Sequence, residues 1–342
     1  MSYNLVLNAS NLVAGNNNNN TFRYNFGPGG FTISNGSTIS VKQIMLPYSW
    51  YNISAAIGNN TFHYSIPNNT ATPTNVVITL LDGFYTIEDL NDVLKASLFK
   101  NNFYFYNTTS DGVSNLPPNK IIYPIEFGTN PSQYTNTMTF QYIPIDAASV
   151  VAQFGPNWVW TKGIFPTNAR LPVINFAGNT RNKYSLSSLL GFTPERQFPA
   201  YATFYYGLSS TFVTNVPTSL NSTPLTMIGN SFRAYQYFGS SAFLSQPTYL
   251  PTFVPQGSNV NSVIVRCNLI ENNVGYPSDI LDSFPITSTF GSNINYLPSV
   301  ANAVKLKVAK VDSLTVSFAD QDLNPLVLND PNVLIVLSIN PP

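Results

Sequence analysis

The chain has 342 residues, of which 15 are basic and 15 acidic, so its formal net charge is zero and only 9 % of it is charged. Soluble domains usually carry about 25 % charged residues. The composition gives no basic excess for neutralising the phosphates of a nucleic acid, one cysteine cannot form an intrachain disulfide, and no apolar run is long enough to predict a membrane-spanning helix.

Aromatic and amide side chains take the place of the missing charges. The chain contains 24 Phe and 20 Tyr residues together with runs of Asn. Interface cores are depleted of charge and enriched in Tyr, Phe and Trp, and a protein with so little charge near neutrality tends to associate. We therefore expect other subunits to cover much of its surface. The segment Met1–Asn8 lacks the pattern of a secretory signal, which predicts assembly inside a cell.

Short runs typical of β-strands recur along the chain, separated by clusters of Asn, Gly, Pro and Ser. They alternate partly between apolar and polar residues and are rich in Val, Ile, Thr, Tyr and Phe. Many short strands with turn residues between them predict an all-β sandwich or barrel. In chain order the runs are Tyr3–Leu7, Thr21–Phe26, Thr38–Leu46, Thr61–Ile66, Val76–Leu81, Lys120–Phe127, Thr137–Ile143, Val263–Ile270, Asn302–Val308, Ser313–Phe318 and Val333–Ile339.

One helix of useful length is predicted, at Thr86–Phe99. Thr86 and Asp89 have the spacing of a capping box, and one apolar stripe at helical spacing is expected to pack on the sandwich. A second, short helical turn is predicted at Ser185–Leu190, closed by Gly191. The stripe consists of Ile87, Leu90, Leu94 and Leu98.

Two segments depart from the strand pattern. Asn16–Asn20 is a low-complexity polar tract, interpreted as a mobile loop tip. Phe192–Ser258 is rich in Tyr, Phe, Pro and Ser but shows few alternating runs. Since structureless loops of this length are uncommon in compact domains and usually functional, we interpret this segment as an insertion or an additional β module.

Catalytic chemistry has little support in the sequence. His63, the single histidine, lies in a strand-like run, and Cys267, the single cysteine, lies in an apolar run. Both are therefore interpreted as structural, since a zinc site needs a cluster of such residues and a reactive thiol needs an activating neighbour. No pairing marks the four glutamates as acid and base. We predict no catalytic residue, no metal site and no cofactor. The glutamates are Glu88, Glu126, Glu195 and Glu271.

Two short motifs resemble ligand-binding loops. The glycine-rich stretch Phe26–Phe31 is not followed by Gly-Lys-Ser/Thr, so it is interpreted as a turn and not a phosphate loop. Asp320–Asn324 begins like a calcium-binding loop, but Pro325 stands where Gly is needed and Pro331 where a bidentate Glu belongs. A turn between the last two strands explains it better.

Adjacent aromatic residues raise the question of stacking on sugars or bases. Examples are the pairs Tyr104/Tyr106 and Tyr205/Tyr206. Stacking on single-stranded nucleic acid normally comes with a basic groove, and no basic cluster accompanies these residues. Packing in a core or an interface is the preferred interpretation.

Three segments resemble a known family of viral proteins. They are Ser40–Ser54, which contains Pro-Tyr-Ser-Trp-Tyr-Asn, then Gly83–Leu94, and finally Val263–Ile270 with the stretches that follow it. In this order they resemble the minor capsid (penton) proteins of virophages and Polinton-type DNA viruses. Those later stretches are Val274–Gly275, Asp279–Leu281 and Val311–Ile339.

The resemblance implies a single antiparallel jelly roll with long loops and one short helix, formed by residues 1–191 and 259–342. It does not cover 192–258, which we interpret as an insertion or an additional β module. It implies a homopentamer at each icosahedral vertex that contacts the viral major capsid protein. The protein would reside in the virion capsid after assembly in a cytoplasmic virus factory of the host cell. We expect no specific nucleic acid as a partner and no membrane span, while loops on the outside could contact a host receptor or glycan.

Three other functions remain open on the sequence. The first is a major capsid protein with two jelly rolls, for which eleven predicted strands are few against about sixteen. The second is a carbohydrate-binding β-sandwich such as a lectin or attachment protein, because jelly rolls also serve lectins. The third is an enzyme, which the scarcity of acid, base and metal-binding groups disfavours.

Overall fold

The structure is a computed structural model that describes residues 2–70, 72–109, 121–130, 135–141, 143–167, 172–176, 185–191, 197–198, 225–228, 257–272 and 276–342. Strands dominate these residues, and every predicted strand run overlaps an observed strand, so the all-β class is confirmed. The strands are β1 (Tyr3–Leu7), β2 (Thr21–Asn25), β3 (Phe31–Thr32), β4 (Thr38–Pro47), β5 (Thr61–Ile66), β6 (Thr74–Thr79), β7 (Phe105–Asn107), β8 (Ile121–Ile122), β9 (Ile125–Asn130), β10 (Thr135–Phe140), β11 (Trp158–Trp160), β12 (Val173–Asn175), β13 (Gln197–Phe198), β14 (Leu225–Ile228), β15 (Ser262–Cys267), β16 (Ile280–Pro285), β17 (Asn293–Tyr296), β18 (Val304–Lys305), β19 (Lys310–Val311), β20 (Ser313–Asp320) and β21 (Leu334–Asn340).

Three α-helices lie among the described residues, two of them at the predicted helical segments. They are α1 (Ile87–Lys100), α2 (Ala147–Phe154) and α3 (Leu186–Leu189). The predicted turn at Ser185–Leu190 is α3, capped by Ser185 and followed by Gly191 at a φ of +80°. None of the described helices is long and apolar enough to cross a bilayer.

The chain folds as two compact units. Unit 1 comprises Met1–Tyr51 and Val260–Pro342, and unit 2 comprises Asn52–Asn259. Unit 2 is therefore inserted in the sequence between β4 and β15.

Unit 1 is a jelly roll. Its first sheet has the strand order β1-β21-β4-β17, with β18 also paired to β4, and its second sheet has the order β16-β15-β20-β2. Every pairing is antiparallel. Consecutive long strands alternate between the two sheets, except that β15 and β16 form a hairpin. Eight strands in two such sheets define a jelly roll, which confirms the predicted sandwich.

The core of unit 1 follows from strand alternation. Successive side chains of a strand point to opposite faces, and every second residue of β15 is buried. Each fully buried Val, Leu, Ile or Phe contributes about 1.5–3 kcal/mol relative to its exposed state. The buried hydrophobic-core residues of the long strands are Leu5, Leu7, Phe22, Ile39, Val41, Ile44, Leu46, Val263, Val265, Cys267, Leu281, Phe284, Ile294, Leu314, Val316, Phe318, Ala319, Ile335, Leu337 and Ile339.

Unit 2 has a different topology. Its described strands form three small sheets in the orders β13-β12-β5-β6, β14-β10-β9 and β11-β7-β8. Strands that follow one another along the chain pair as hairpins, for example β5 with β6 and β9 with β10. The described part of unit 2 therefore lacks the alternation between sheets that characterises unit 1.

A buried amide cluster joins the two ends of unit 2. Asn259 Nδ2 donates to the carbonyl oxygen of Asn52 at 2.9 Å, and Asn59 Nδ2 donates to the same oxygen at 2.8 Å. The Asn52 side chain in turn bonds the backbone of Tyr85 through both its oxygen and its nitrogen, each at 2.9 Å. The chain thus enters and leaves unit 2 at neighbouring points.

Helix α1 begins as predicted but packs in unit 2 and not on the jelly-roll sandwich. The Thr86 hydroxyl accepts from Asp89 N at 3.2 Å, and Asp89 Oδ2 accepts from Thr86 N at 2.8 Å, so the capping box is complete. All four residues of the predicted stripe are buried in the core of unit 2, together with Phe62 and Phe127. The expected packing partner was wrong because the helical period identifies an apolar face without identifying what covers it.

The domain boundaries differ from the predicted ones. The sequence placed residues 52–191 with the jelly roll, whereas the structure assigns them to unit 2. Alternation and turn residues reveal where strands are, but they do not reveal which strands pair. The predicted insertion at 192–258 lies almost entirely outside the described residues, and its role as a separate module stays a prediction.

The asparagine tract is a packed segment and not a mobile loop tip. Asn20 is buried, its Nδ2 donates to the carbonyl oxygen of Phe318 at 3.1 Å, and its own carbonyl oxygen accepts from Phe318 N at 3.0 Å. Asn19, at a φ of +52°, donates to the carbonyl oxygen of Leu328 at 3.0 Å. Asn tolerates this left-handed backbone and satisfies nearby backbone groups through its amide, which explains the choice of residue.

Candidate assembly surfaces

The first sheet of the jelly roll ends in an unprotected strand, β1. Its sequence, Tyr-Asn-Leu-Val-Leu, contains no charge and no proline, and it pairs with β21 over its whole length without a bulge. Tyr3 is 47 % and Val6 49 % exposed. Edge strands normally carry Lys, Pro or a bulge that blocks further pairing. The β1 edge lacks all three.

The opposite end of the same sheet is similar. Strand β17, Asn-Ile-Asn-Tyr, is also uncharged and pairs with β4. The loop that follows it exposes two aliphatic side chains, Leu297 at 67 % and Val300 at 80 %. We call β17 with Leu297 and Val300 the β17 edge.

The second sheet differs, because both of its edges are protected. Strand β16 contains Asp282 and ends in Pro285, and its pairing with β15 is broken by a register shift. Strand β2 contains Arg23. Its outer side is occupied by a bridge between Leu12 and Phe22 and by a hydrogen bond from Val13 N to the Thr21 carbonyl oxygen at 3.0 Å. Among the described strands of the jelly roll, the open edges are therefore confined to the first sheet.

A ladder of partly exposed aromatic rings adjoins the β1 edge. Tyr3 meets Phe31 edge to face at a centroid distance of 6.0 Å, Phe31 stacks on Phe26 at 5.1 Å, and Phe26 meets Tyr24 at 5.3 Å. Such residues dominate the energetics of protein interfaces. We call Tyr3, Val6, Tyr24, Phe26 and Phe31 the aromatic edge.

The glycine-rich stretch builds this ladder. As predicted, it forms a turn: Gly27, Gly29 and Gly30 all have positive φ, and Gly30 N donates to the Gly27 carbonyl oxygen at 3.2 Å. A Cβ on Gly30 would lie 2.8 Å from the carbonyl oxygen of Val311. Only glycine therefore allows the turn that brings Phe26 and Phe31 together.

The residues considered for catalysis lie on different elements of the described structure. His63 lies half-buried in β5 of unit 2 and Cys267 is buried in β15 of unit 1. Glu126 forms an ion pair with Lys95 at 3.3 Å, Glu88 lies exposed in the first turn of α1, Glu271 is exposed in unit 1, and Glu195 lies outside the described residues.

Cys267 has the environment of an unreactive thiol. Burial, with a smaller contribution from the negative charge of Asp279, raises the pKa of this thiol from 9.0 to about 11. The thiol therefore stays protonated at neutral pH, whereas a nucleophilic cysteine needs the thiolate.

The calcium-like segment is a turn. Asp320 Oδ1 accepts from the backbone N of Asp322 at 2.8 Å and of Asn324 at 2.9 Å, and Oδ2 accepts from Asn324 Nδ2 at 3.0 Å. The carboxylate thus holds the loop between β20 and β21, as the turn interpretation predicted. Among the described residues, no group of three or more His, Cys, Asp and Glu side chains is arranged to hold a metal ion.

Of the two aromatic pairs considered in the sequence, only Tyr104/Tyr106 lies within the described residues. Tyr104 is buried in unit 2, and Phe99 stacks on its ring at a centroid distance of 4.9 Å. This confirms a packing role for Tyr104. Tyr205 and Tyr206 lie outside the described residues. The aromatic edge was not anticipated from the sequence, although the uncharged turn Phe26–Phe31 and the neutral strand Tyr3–Leu7 carried the signal.

No protein-family model matches the chain, and no curated protein matches it. Among solved structures, the chain is similar to the selenomethionine-labelled mavirus penton protein, with 10 % identity and a TM-score of 0.38 over 99 % of this chain and 98 % of that one. This similarity is too low to assign a function to the chain.

Proposed function

We propose that this protein is a structural component of a viral capsid, a penton that forms homopentamers at icosahedral vertices and contacts the major capsid protein. The observation that carries the proposal is the pair of uncharged, unprotected edges on one sheet of the jelly roll. Two further observations support the proposal: only 9 % of the residues are charged, and three segments resemble penton proteins. The protein acts in the virion after assembly in a virus factory in the host cytoplasm.

A closed ring needs two different surfaces on each subunit. Head-to-tail contacts use one surface of a subunit against another surface of its neighbour, and a ring leaves no end unsatisfied. The aromatic edge and the β17 edge lie at opposite ends of the sheet order β1-β21-β4-β17. We infer that they are the two halves of this contact. Since neither β1 nor β17 contains a charged residue, pairing these strands buries no ionised side chain of either strand, which lowers the cost of association.

The proposal excludes catalysis and favours a penton over a major capsid protein. The one histidine and the one cysteine lie in different units, and the thiol of Cys267 is held protonated. A double jelly-roll protein would repeat the two-sheet alternation of unit 1, which the described strands of unit 2 do not do.

The test is the mass of the purified protein by native mass spectrometry or mass photometry. We expect rings of five 37.6-kDa chains at micromolar concentration. The double variant Tyr3→Lys, Val6→Lys places charge on the β1 edge and should leave monomers. Its matched control is Ser283→Lys, an exposed position on the protected strand β16, which should still form rings.

Two results would overturn the proposal. One is a wild-type protein that stays monomeric and takes up no major capsid protein. The other is ring formation that the β1 and β16 variants disturb equally, because the contact would then not involve the β1 edge.

A further inference from the structure

Unit 1 contains a depression of about 210 Å³ that the assembly edges do not use. It lies where the end of β4 meets the loop before β17 and the loop before β21. Its walls include the rings of Tyr48, Tyr51 and Phe290 and the polar side chains of Asn329 and Asp330. Tyr51 is 36 % and Phe290 38 % exposed, so both rings are accessible to a ligand.

Hydrogen bonds from backbone and side-chain groups hold the three wall segments in place. Tyr48 N donates to the Ser292 carbonyl oxygen and Gly291 N donates to the Tyr48 carbonyl oxygen, both at 2.9 Å. On the other side, Asp330 N donates to Ser49 Oγ at 3.1 Å, and Asn329 Nδ2 donates to the Ser49 carbonyl oxygen. A site that is formed before its ligand arrives avoids part of the entropic cost of binding.

The charged group in this depression is the Asp330 carboxylate, and only one of its two oxygens is hydrogen bonded within the described part of the chain. Asp330 Oδ1 accepts from Asn332 N at 3.0 Å, whereas Oδ2 has no hydrogen bond or ion pair with a described residue. The carboxylate therefore offers a charged acceptor to a ligand. A hydrogen bond between two charged groups is roughly twice as strong as one between neutral groups.

The aromatic rings beside Asp330 also favour a cationic ligand. Phe290 meets Tyr48 edge to face at 5.7 Å and lies 6.5 Å from Tyr51 at an interplanar angle of 43°. The faces of aromatic rings carry negative potential and attract cations. A neutral sugar would stack on the rings but would leave the charge of Asp330 uncompensated, so the combination favours a cation.

We propose that this pocket receives the arginine side chain of a partner polypeptide in the capsid, an assignment that rests on the proposed structural function. The planar guanidinium can hydrogen bond to the Asp330 carboxylate while it stacks on a ring, which the compact ammonium of lysine does less well. Its aliphatic stem packs on the remaining aromatic surface. The volume of the depression accommodates one such side chain.

The test measures binding of N-acetyl-arginine amide to the full-length protein by saturation-transfer NMR at low salt. N-acetyl-citrulline amide, which has the same shape without the charge, and neutral methyl glycosides serve as comparison ligands. We expect saturable binding of the arginine probe and at least a tenfold weaker affinity for citrulline, which corresponds to about 1.4 kcal/mol. Asp330→Asn should weaken the arginine probe by a similar factor, and Tyr51→Ala should weaken it as well. The control Glu271→Gln, at an exposed acid outside the pocket, should not.

Four outcomes overturn the assignment: no saturable binding of the arginine probe, equal binding of citrulline, unchanged binding in Asp330→Asn, or glycosides that bind the pocket in preference to arginine. Circular dichroism of each variant separates loss of binding from loss of fold. The mass of the same samples separates this result from the proposed function. Rings that do not bind arginine refute the pocket alone, whereas arginine binding by a protein that is only monomeric refutes the capsid role.

Discussion

At the scale of single residues, buried polar groups in this protein are used for structure. Asp320 and Asn52 each satisfy two or more backbone groups with one short side chain, and the side chain of Asn20 satisfies the Phe318 carbonyl oxygen. A buried backbone group without a partner costs about 1–3 kcal/mol. Amides and short carboxylates are therefore the residues that let long connections pack closely without ionised side chains on the surface.

Asp320 provides the first prediction. Replacing it with Ala removes three hydrogen bonds, two of them to backbone N–H groups, and should lower the free energy of unfolding by about 1–3 kcal/mol. The control Asp322→Ala, at an exposed position, should change it by less than about 0.5 kcal/mol. Urea denaturation measures both. Calcium should leave the midpoint of the wild type unchanged, and a calcium-dependent increase would restore the metal-loop interpretation.

Cys267 provides the second prediction. The thiol should react with a thiol-specific reagent only when the protein unfolds, because burial keeps it protonated up to a pKa of about 11. A raised pKa in the folded state means that its contribution to stability is complete below the ordinary pKa near 9.0 and is lost as the pH rises towards 11. The free energy of unfolding should therefore fall more steeply between these pH values in the wild type than in Cys267→Ala. The prediction would be contradicted if the free energy of unfolding had the same pH dependence in both proteins, or if the native protein were labelled rapidly.

At the scale of elements, the sequence predicts where helices and strands lie better than it predicts which of them pair or pack together. The capping box at Thr86 and the apolar stripe fixed α1 to within one residue, since both signals are local. Helix α2 was missed although Asp146 caps it and Gly155 ends it, because Val150 and Val151 belong to a short apolar run without a clear period. The predicted strand Lys120–Phe127 is split at Pro124, which lacks the N–H that a strand ladder needs.

The aromatic edge and the β17 edge could not be predicted from the sequence, because local patterns do not show which strands pair. The neutral strand Tyr3–Leu7 reads as any other strand until its position at the end of the order β1-β21-β4-β17 is known. Strand β17 was not predicted at all, since Asn293–Tyr296 is short and half of it is Asn. Only pairing across more than 300 residues, as between β1 and β21, shows which strands are left exposed.

Helix α1 provides the third prediction. Leu94 is completely buried in the core of unit 2, and Leu94→Ala should destabilise the protein by about 2–5 kcal/mol through lost burial and a residual cavity. Asp92→Ala changes an exposed position of the same helix and should have little effect. Thermal unfolding measured by circular dichroism compares the two. An equal loss in both variants would mean that helix propensity, and not packing, determines the stability of this element.

At the scale of the whole molecule, the long insertion is compatible with an intact jelly roll. The chain leaves unit 1 after Tyr51 and returns at Val260, and the hydrogen bond between Asn259 and Asn52 shows that the two ends of unit 2 are neighbours. A short connection can therefore replace unit 2 without stretching the chain. Surface insertions of this kind are tolerated because the host core does not depend on them.

A deletion variant provides the fourth prediction. Joining Asn52 to Asn259 through a Gly-Ser linker should yield a folded jelly roll, because its eight strands and their core all lie in unit 1. Cooperative thermal unfolding and a β-type circular dichroism spectrum would support it. A product that is insoluble even when the β1 edge carries Tyr3→Lys and Val6→Lys would contradict it, since that double change removes association through β1 as the cause.

The salt dependence of assembly provides the fifth prediction. If the ring forms through the aromatic edge and the β17 edge, the contact contains backbone hydrogen bonds and apolar side chains but no ion pair between these strands. Screening shortens the reach of charges from about 10 Å at 0.1 M salt to about 3 Å at 1 M, while hydrophobic association is not weakened and is strengthened by salts such as sulfate. The pentamer fraction measured by mass photometry should therefore stay constant or rise across this range.

Binding of the arginine probe to the Asp330 pocket should decrease over the same range, because that contact depends on opposite charges. A ring that dissociates as salt is added would show that ionised side chains, and not the two neutral edges, hold the subunits together.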